Sequence, residues 1–271
     1  MKKEAKIEIL SIGNEILMGI TANTNASWIS LEINKLGGTV DRHTVIGDNI
    51  NSIAKVVEDI ISRKAQIVIV TGGLGPTYDD VTLEGIARAL HTELKLNKEA
   101  LDQVKKKYEE HQKDRIKNIK LTPARIKMAI LPIGSVPIDN PVGTAPAVLN
   151  HKENTLIFCL PGVPQEMKEI FAGSIAPRIK KIITDQYVAE EKIEVSGIGE
   201  SLLAPILDKI LANYHNVYVK SHPRESEFNK AKLGIHVQVR RDDFNQANTI
   251  VENVITDITL EVVKIGGKVI E

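Results

Sequence analysis

Ile67-Val68-Ile69-Val70-Thr71-Gly72-Gly73-Leu74-Gly75-Pro76-Thr77-Tyr78-Asp79-Asp80-Val81-Thr82 decides how this chain is read. The apolar run 67–70 predicts a fully buried strand, and the amphipathic run 83–90 predicts a helix. Between them lies a loop with three glycines and two adjacent carboxylates. Glycines let backbone N–H groups face a ligand closely, and a following helix N-terminus favours an anion such as phosphate. Asp79 and Asp80 would repel a bare anion, and a divalent metal between carboxylate and phosphate removes that conflict. The loop therefore points to a metal-bridged phosphate ester.

Working outward, strand-like and helix-like segments alternate. Residues 6–12 read as a strand, 23–36 as a helix stopped by Gly37-Gly38, 39–46 as β-rich and 50–61 as a helix. A buried strand at 156–160 precedes a helix expected over 165–183. This alternation predicts an α/β fold with a mostly parallel sheet covered on both faces, a three-layer αβα domain. From about residue 185 the order becomes βαββαβ or βαββα, that of a small α+β ferredoxin-like unit. Domains are expected at 1–184 and 185–271.

Ligands of open α/β sheets bind outside the carboxyl ends of the strands, so the loops after the first strand and after the 156–160 strand are expected to share one edge with the glycine loop, and a further loop precedes the 156–160 strand. They contain Gly13-Asn14-Glu15 with Asn23-Thr24-Asn25, Asn140-Pro141-Val142-Gly143-Thr144-Ala145-Pro146, and Pro161-Gly162-Val163-Pro164-Gln165-Glu166. Gly72, Gly73 and Gly75 are expected to offer N–H groups to phosphate. Asp80, with Glu15 and Asp79, is the candidate metal-binding and catalytic set. Asp80 could instead cap the following helix, and Glu15 could be a solvated first-turn carboxylate. Asn23, Thr24 and Asn25 could bind a sugar or base, or cap a helix. Gly143-Thr144-Ala145 could approach the ligand or form a turn, and Pro161-Gly162 could be a turn leading into a helix with Pro164 at its start.

Composition excludes several classes. Lys plus Arg is 35 and Asp plus Glu is 35, so bulk attraction to nucleic acid is not expected. One cysteine, Cys159, allows no internal disulfide, which fits a reducing cytoplasm, and it reads as a core residue. No apolar run is long enough for a membrane span, and the start shows no apolar signal segment. No P-loop lysine, dinucleotide glycine triplet or Gly-x-Ser-x-Gly elbow is present. The charged stretch between Thr92 and Pro123 reads as a solvated helix face or a basic arm, and Lys220-Ser221-His222-Pro223-Arg224 as a β-turn or a phosphate contact.

The run from Thr71 to Thr82 resembles the CinA (competence/damage-inducible protein) family, whose molybdopterin-binding-type domain is shared with molybdenum cofactor biosynthesis proteins. Supporting matches are Gly13-Asn14-Glu15-Ile16-Leu17, Asn23-Thr24-Asn25, Lys127-Met128-Ala129 with Pro132, residues 140–146, and Leu160-Pro161-Gly162-Val163-Pro164-Gln165-Glu166-Met167. In the second domain Gly197-Ile198-Gly199-Glu200-Ser201 and Lys220-Ser221-His222-Pro223 match. The resemblance implies a nucleotide pyrophosphatase using Mg, Mn or Co, with ADP-ribose as substrate. Carried onto these motifs, it implies a ligand-binding set of Gly13, Asn14, Asn23, Asn25, Thr71, Gly72, Gly73, Gly75, Pro76, Thr77, Gly143, Thr144, Ala145, Pro161, Gly162 and Val163. It also implies a homo-oligomer, dimer or trimer. Asn14 stands where the family has Asp, and Ala147 where it has Gly. The chain ends before the family's deamidase domain, so nicotinamide mononucleotide deamidation is not expected. The alternatives are a binding protein for a pterin phosphate or nucleotide that does not cleave it, and adenylyl transfer to a pterin phosphate.

Overall fold

The run Ile67-Val68-Ile69-Val70 is buried on both sides, and its alternation feeds two different cores. Val68 and Val70 join Leu10, Ile12, Ile157 and Cys159 on one face of the sheet. Ile67 and Ile69 join Ile7, Ile9, Phe158 and Leu160 on the other. A strand buried on both faces needs a helical layer on each side, which makes this domain three-layered.

A computed structural model describes residues 5–111, 121–183, 186–223 and 232–270. It divides into two compact units, Met1–Thr184 and Asp185–Glu271. In the first, the order is β1 (Ile7–Ile12), α1 (Asn14–Leu17), α2 (Thr24–Lys35), β2 (Val40–Ile46), α3 (Ile50–Ser62), β3 (Ile67–Thr71), α4 (Thr82–Ala89), β4 (Leu94–Leu96) and α5 (Lys98–His111). There follow α6 (Pro123–Lys127), β5 (Ile130–Pro132), β6 (Val136–Ile138), β7 (Ala147–Lys152), β8 (Thr155–Leu160), α7 (Pro164–Ile170), a π-helical turn Phe171–Ile175, and α8 (Ala176–Lys180).

The main sheet runs β2-β1-β3-β8-β7-β6. β2, β1, β3 and β8 are parallel, while β7 and β6 are antiparallel to their neighbours. Ile53, Val57, Ile60 and Ile86 of α3 and α4 fill the first core; Ile29 and Ile33 of α2 with Met167 and Ile170 of α7 fill the second. At ~25 cal/mol per Å2 of apolar surface, full burial of each such side chain stabilises by about 1.5–3 kcal/mol.

The helix expected over 165–183 is interrupted by the π-turn. Pro177 has no N–H to donate to the preceding turn, so a regular helical ladder cannot pass through it. α5 lies in the charged stretch between Thr92 and Pro123 and carries mostly solvated charge, but Lys107 is buried and donates to the Pro141 carbonyl at 3.2 Å. Lys113, Asp114 and Arg115 lie outside the described residues.

In the second unit, β9 (Tyr187–Ser196), α9 (Glu200–Leu211), β10 (Val217–Pro223), β11 (Lys232–Arg241), α10 (Phe244–Lys264) and β12 (Lys268–Ile270) form an antiparallel sheet in the order β10-β11-β9-β12. This is the ferredoxin-like arrangement. Its core pairs Val195, Ile235, Val237 and Val239 with Leu203, Val254 and Ile258 of the helices. Lys220, Ser221, His222 and Pro223 do not form a β-turn. They continue the edge strand β10, where a proline costs no ladder bond on its open side. Arg224 lies outside the described residues. Among the described residues no helix is long and apolar enough to cross a membrane.

Candidate functional site

At the carboxyl end of the parallel strands the loops after β1, β3 and β8 enclose a cavity of about 460 Å3. β7 runs antiparallel to β8, so the loop entering β7, residues 140–146, reaches the same end. Gly72 sets how closely these loops can meet. Its φ is +101°, and a Cβ there would overlap the Ile12 carbonyl oxygen, so only glycine lets β1 and β3 close at this point. The N–H of Gly72 donates to the Leu160 carbonyl at 3.0 Å. It is thereby withdrawn from the phosphate role expected of it.

Thr82 then closes the loop. Its hydroxyl donates to the Gly72 carbonyl at 2.8 Å and its N–H to the Gly73 carbonyl at 3.3 Å. The N–H groups of Gly73, Leu74 and Gly75 make no hydrogen bond among the described residues. Three donors thus remain for a ligand.

Asp80 does not cap α4, whose N-cap is Val81 without a side-chain bond. Instead Asp80 Oδ2 accepts from the Thr77 N–H at 2.8 Å and the Thr77 hydroxyl at 2.6 Å, in a turn that Gly75 makes room for. Among the described residues no hydrogen bond engages Oδ1. Asp79 Oδ1 shares the single Thr77 hydroxyl proton with Asp80, and that contact, followed by its own backbone N–H, holds its carboxyl below the usual range. Lys127 donates to the Thr77 carbonyl and adds its charge to that effect from a neighbouring hollow.

The cavity lining includes Gly13, Glu15, Asn23, Thr24, Asn25, Thr71, Gly72, Gly73, Gly75, Pro76, Thr77, Asp79, Asp80, Thr144, Ala145, Pro161, Gly162 and Val163. Asn14 and Gly143 do not line it. Asn14 clamps two loops: its N–H donates to Asp48 Oδ2 at 2.8 Å, and its Oδ1 accepts from the Asp48 N–H at 3.3 Å. Asn23 caps α2 through Ala26 N–H and also binds Ser11, so its polar atoms are taken. Asn25 Nδ2 donates to the Gly162 carbonyl at 2.8 Å and ties the α2 start to the β8 loop. Pro164 stands in the first turn of α7, as expected of a helix-leading turn.

Two carboxylates that sequence reasoning gave no role also line the cavity, Asp48 and Glu166. Asp48 follows β2, a parallel strand ending at the same edge, and that topology is the signal that could have found it. With Glu15, Asp79 and Asp80 they make five carboxylates. No Lys, Arg or His side chain among the described residues lines the cavity. No group of three His, Cys, Asp or Glu residues among the described residues is arranged to hold a metal ion by itself.

Residues 8–181 match the family model described as "Probable molybdopterin binding domain". The chain is 40% identical to a Pyrobaculum aerophilum protein over 95% of its own length and 94% of that protein's. It is 38% identical to an Aeropyrum pernix protein over 100% and 98%. Among solved structures it resembles the protein CinA of unknown function from Thermoplasma acidophilum, with 36% identity, a TM-score of 0.58, and coverage of 64% of this chain and 98% of that one. The chain belongs to the molybdopterin-binding-domain family, among its CinA-type members.

Proposed function

We propose that the first unit is a metal-dependent nucleotide pyrophosphatase that hydrolyses ADP-ribose to AMP and ribose 5-phosphate. One observation carries the reading: three unengaged backbone N–H donors share a cavity with five carboxylates and no cationic side chain among the described residues. The donors suit phosphoryl oxygens. The carboxylates would repel them. A divalent cation turns that repulsion into attraction.

The donor set fits such an ion. Mg2+-like ions take one or two carboxylates, with substrate phosphates and water filling the remaining positions. That is compatible with the lack of a three-residue protein cage among the described residues. Asp80, through its Oδ1, would hold it, with either Asp79 or Glu15 as a second ligand. When bound, the ion supplies Lewis acidity and lowers the pKa of a coordinated water. The protein's own part is positional. The N–H groups of Gly73, Leu74 and Gly75 stabilise charge growing on the phosphoryl oxygens as water attacks phosphorus and the anhydride oxygen leaves. Thr77 keeps Asp79 ionised and orients Asp80. The cavity volume suits a small phosphorylated ligand.

The test is incubation with ADP-ribose and Mg2+, Mn2+ or Co2+, with products identified by mass spectrometry. AMP and ribose 5-phosphate are expected. Absence of turnover with every metal, by protein shown to be folded, sinks the hydrolytic reading. The second reading is a protein that binds a pterin phosphate or nucleotide without cleaving it. The family description and the lack of a protein-only metal cage favour it; its mark is ligand recovered intact after tight, metal-independent binding. A homo-oligomer, dimer or trimer, belongs to the same proposal and is read by light scattering.

A further inference from the structure

We infer that Glu166 is a specificity-determining carboxylate, set to accept hydrogen bonds from the vicinal hydroxyls of a ribose. The inference rests on the nucleotide diphosphate reading above and names what holds the part of the ligand that is not phosphate.

Asn140 fixes the carboxylate. It is 2% exposed, and both its ends are fully used. Its Nδ2 donates to the Ala145 carbonyl at 2.8 Å and to Glu166 Oε2 at 2.7 Å. Its Oδ1 accepts from the N–H groups of Val142 at 3.2 Å and Gly143 at 2.8 Å. Flipping the amide would set its oxygen against a carbonyl and a carboxylate, so only one orientation is stable. Gly143 is bare for the same reason: a Cβ there would overlap the Glu166 carboxylate. Gly143, which does not line the cavity, thus leaves room for a carboxylate that does. A loop that spends a buried amide and a glycine on one carboxylate holds that carboxylate in place.

The other oxygen, Oε1, has no hydrogen bond among the described residues, and Glu166 lines the cavity. Asn25 lines it too. Its Nδ2 is committed to the Gly162 carbonyl, and its Oδ1 is buried without a partner. The cavity therefore has two kinds of lining. Loop 73–75 offers donors, which suit phosphate. Glu166 offers an acceptor, Oε1, which phosphate cannot satisfy and which the ligand must meet with its own donor. A ribose brings two neighbouring O–H groups, and a carboxylate on ribose hydroxyls is a recurrent arrangement in dinucleotide-binding folds.

The test is calorimetric binding of the full chain with Mg2+ to ADP, 2′-deoxy-ADP, 3′-deoxy-ADP and inorganic pyrophosphate, for wild type and Glu166→Gln. Wild type is expected to prefer ADP over the deoxy forms by about tenfold or more, the scale of one charge-assisted hydrogen bond. Glu166→Gln is expected to lose that preference while its pyrophosphate affinity is kept or rises. Gly143→Ala, which displaces the carboxylate, is expected to lose the same preference. Full preference retained in a folded Glu166→Gln overturns the inference and leaves the phosphate reading intact. So does equal weakening of every ligand, pyrophosphate included. Failure of pyrophosphate and every nucleotide to bind folded wild type overturns the phosphate reading and this inference together.

Discussion

At the amino end of the parallel strands, Glu8 has a side chain only 6% exposed and is gripped by Arg63 through two bonds, Nε to Oε1 at 3.0 Å and Nη2 to Oε2 at 2.7 Å. Gln66 and Thr155 close the same end by bonding Lys6 and Ala65. At the carboxyl end, Glu15, Asp48, Asp79, Asp80 and Glu166 line an open cavity with no cationic side chain among the described residues. One sheet thus balances a carboxylate at one end and leaves five without a counter-charge in the lining at the other. Balanced acids serve the fold. The unbalanced ones do not stabilise it by ion pairing, and two of them, Asp79 and Asp80, stand on the glycine loop whose unengaged N–H groups belong to residues lining the same cavity.

The largest effect that would break this contrast is on turnover. Asp80→Asn is expected to lower ADP-ribose hydrolysis by about 100-fold or more, the scale of removing one charge-stabilising group, with the thermal melt unchanged. Activity equal to wild type would remove Asp80 from the chemistry.

At the other end the effect falls on stability. Arg63→Ala leaves a buried carboxylate alone and is expected to cost about 3 kcal/mol in a denaturant melt. Replacing both partners, Glu8→Met with Arg63→Met, is expected to recover most of that loss, because apolar pairs of similar volume replace buried ion pairs well. If the double change is no better than the single one, the pair does more than balance charge.

A smaller, pH-dependent effect sharpens the comparison. Thr77→Val removes the hydroxyl that holds the Asp79 carboxyl low. A carboxyl with a depressed folded pKa contributes stability that is present above its unfolded pKa and is lost as pH falls through the folded value. The variant is therefore expected to shift Asp79 up toward the ordinary carboxylate value, and to move the acid limb of activity upward with it. A carbon-detected NMR titration reads the first, and a pH–rate profile the second.

The smallest expected change is none. Cys159 is fully buried between the two ends, and burial pushes its thiol up to about 12. Alkylation at pH 8 is expected only after unfolding, because the thiolate fraction is roughly one in ten thousand and shielded from solvent. Labelling of the native protein would mean that the open end reaches into the sheet.

Much of the fold was legible because its strands are uniformly apolar and its helices amphipathic. The run 67–70 and the run 156–160 declared themselves by length and β-branched content. Four strands did not. β4, β5 and β6 have three residues each, with Pro132 and Pro137 among them, and β7 mixes Asn150, His151 and Lys152 with apolar residues. Such strands exist because neighbours pair with them, a cause invisible in a local window. The site was legible where it is contiguous, in residues 71–80. Asp48 was missed because its place depends on β2 ending beside β1. Glu166 stood within a quoted motif, but its role needs Asn140, 26 residues earlier, to show itself. Asn14 was read as a ligand contact, and what it does is join two loops.

The closed form of the glycine loop has a calorimetric consequence. Thr82 holds the Gly72 and Gly73 carbonyls and Leu160 holds the Gly72 N–H, all through the protein's own groups. No segment of this loop has to fold when a diphosphate enters. The heat-capacity change of pyrophosphate binding should therefore be small, reflecting only the little apolar surface covered, and its temperature dependence nearly flat. Affinity at this loop is set by charge and hydrogen bonding rather than by ordering, and it should weaken steeply with added salt.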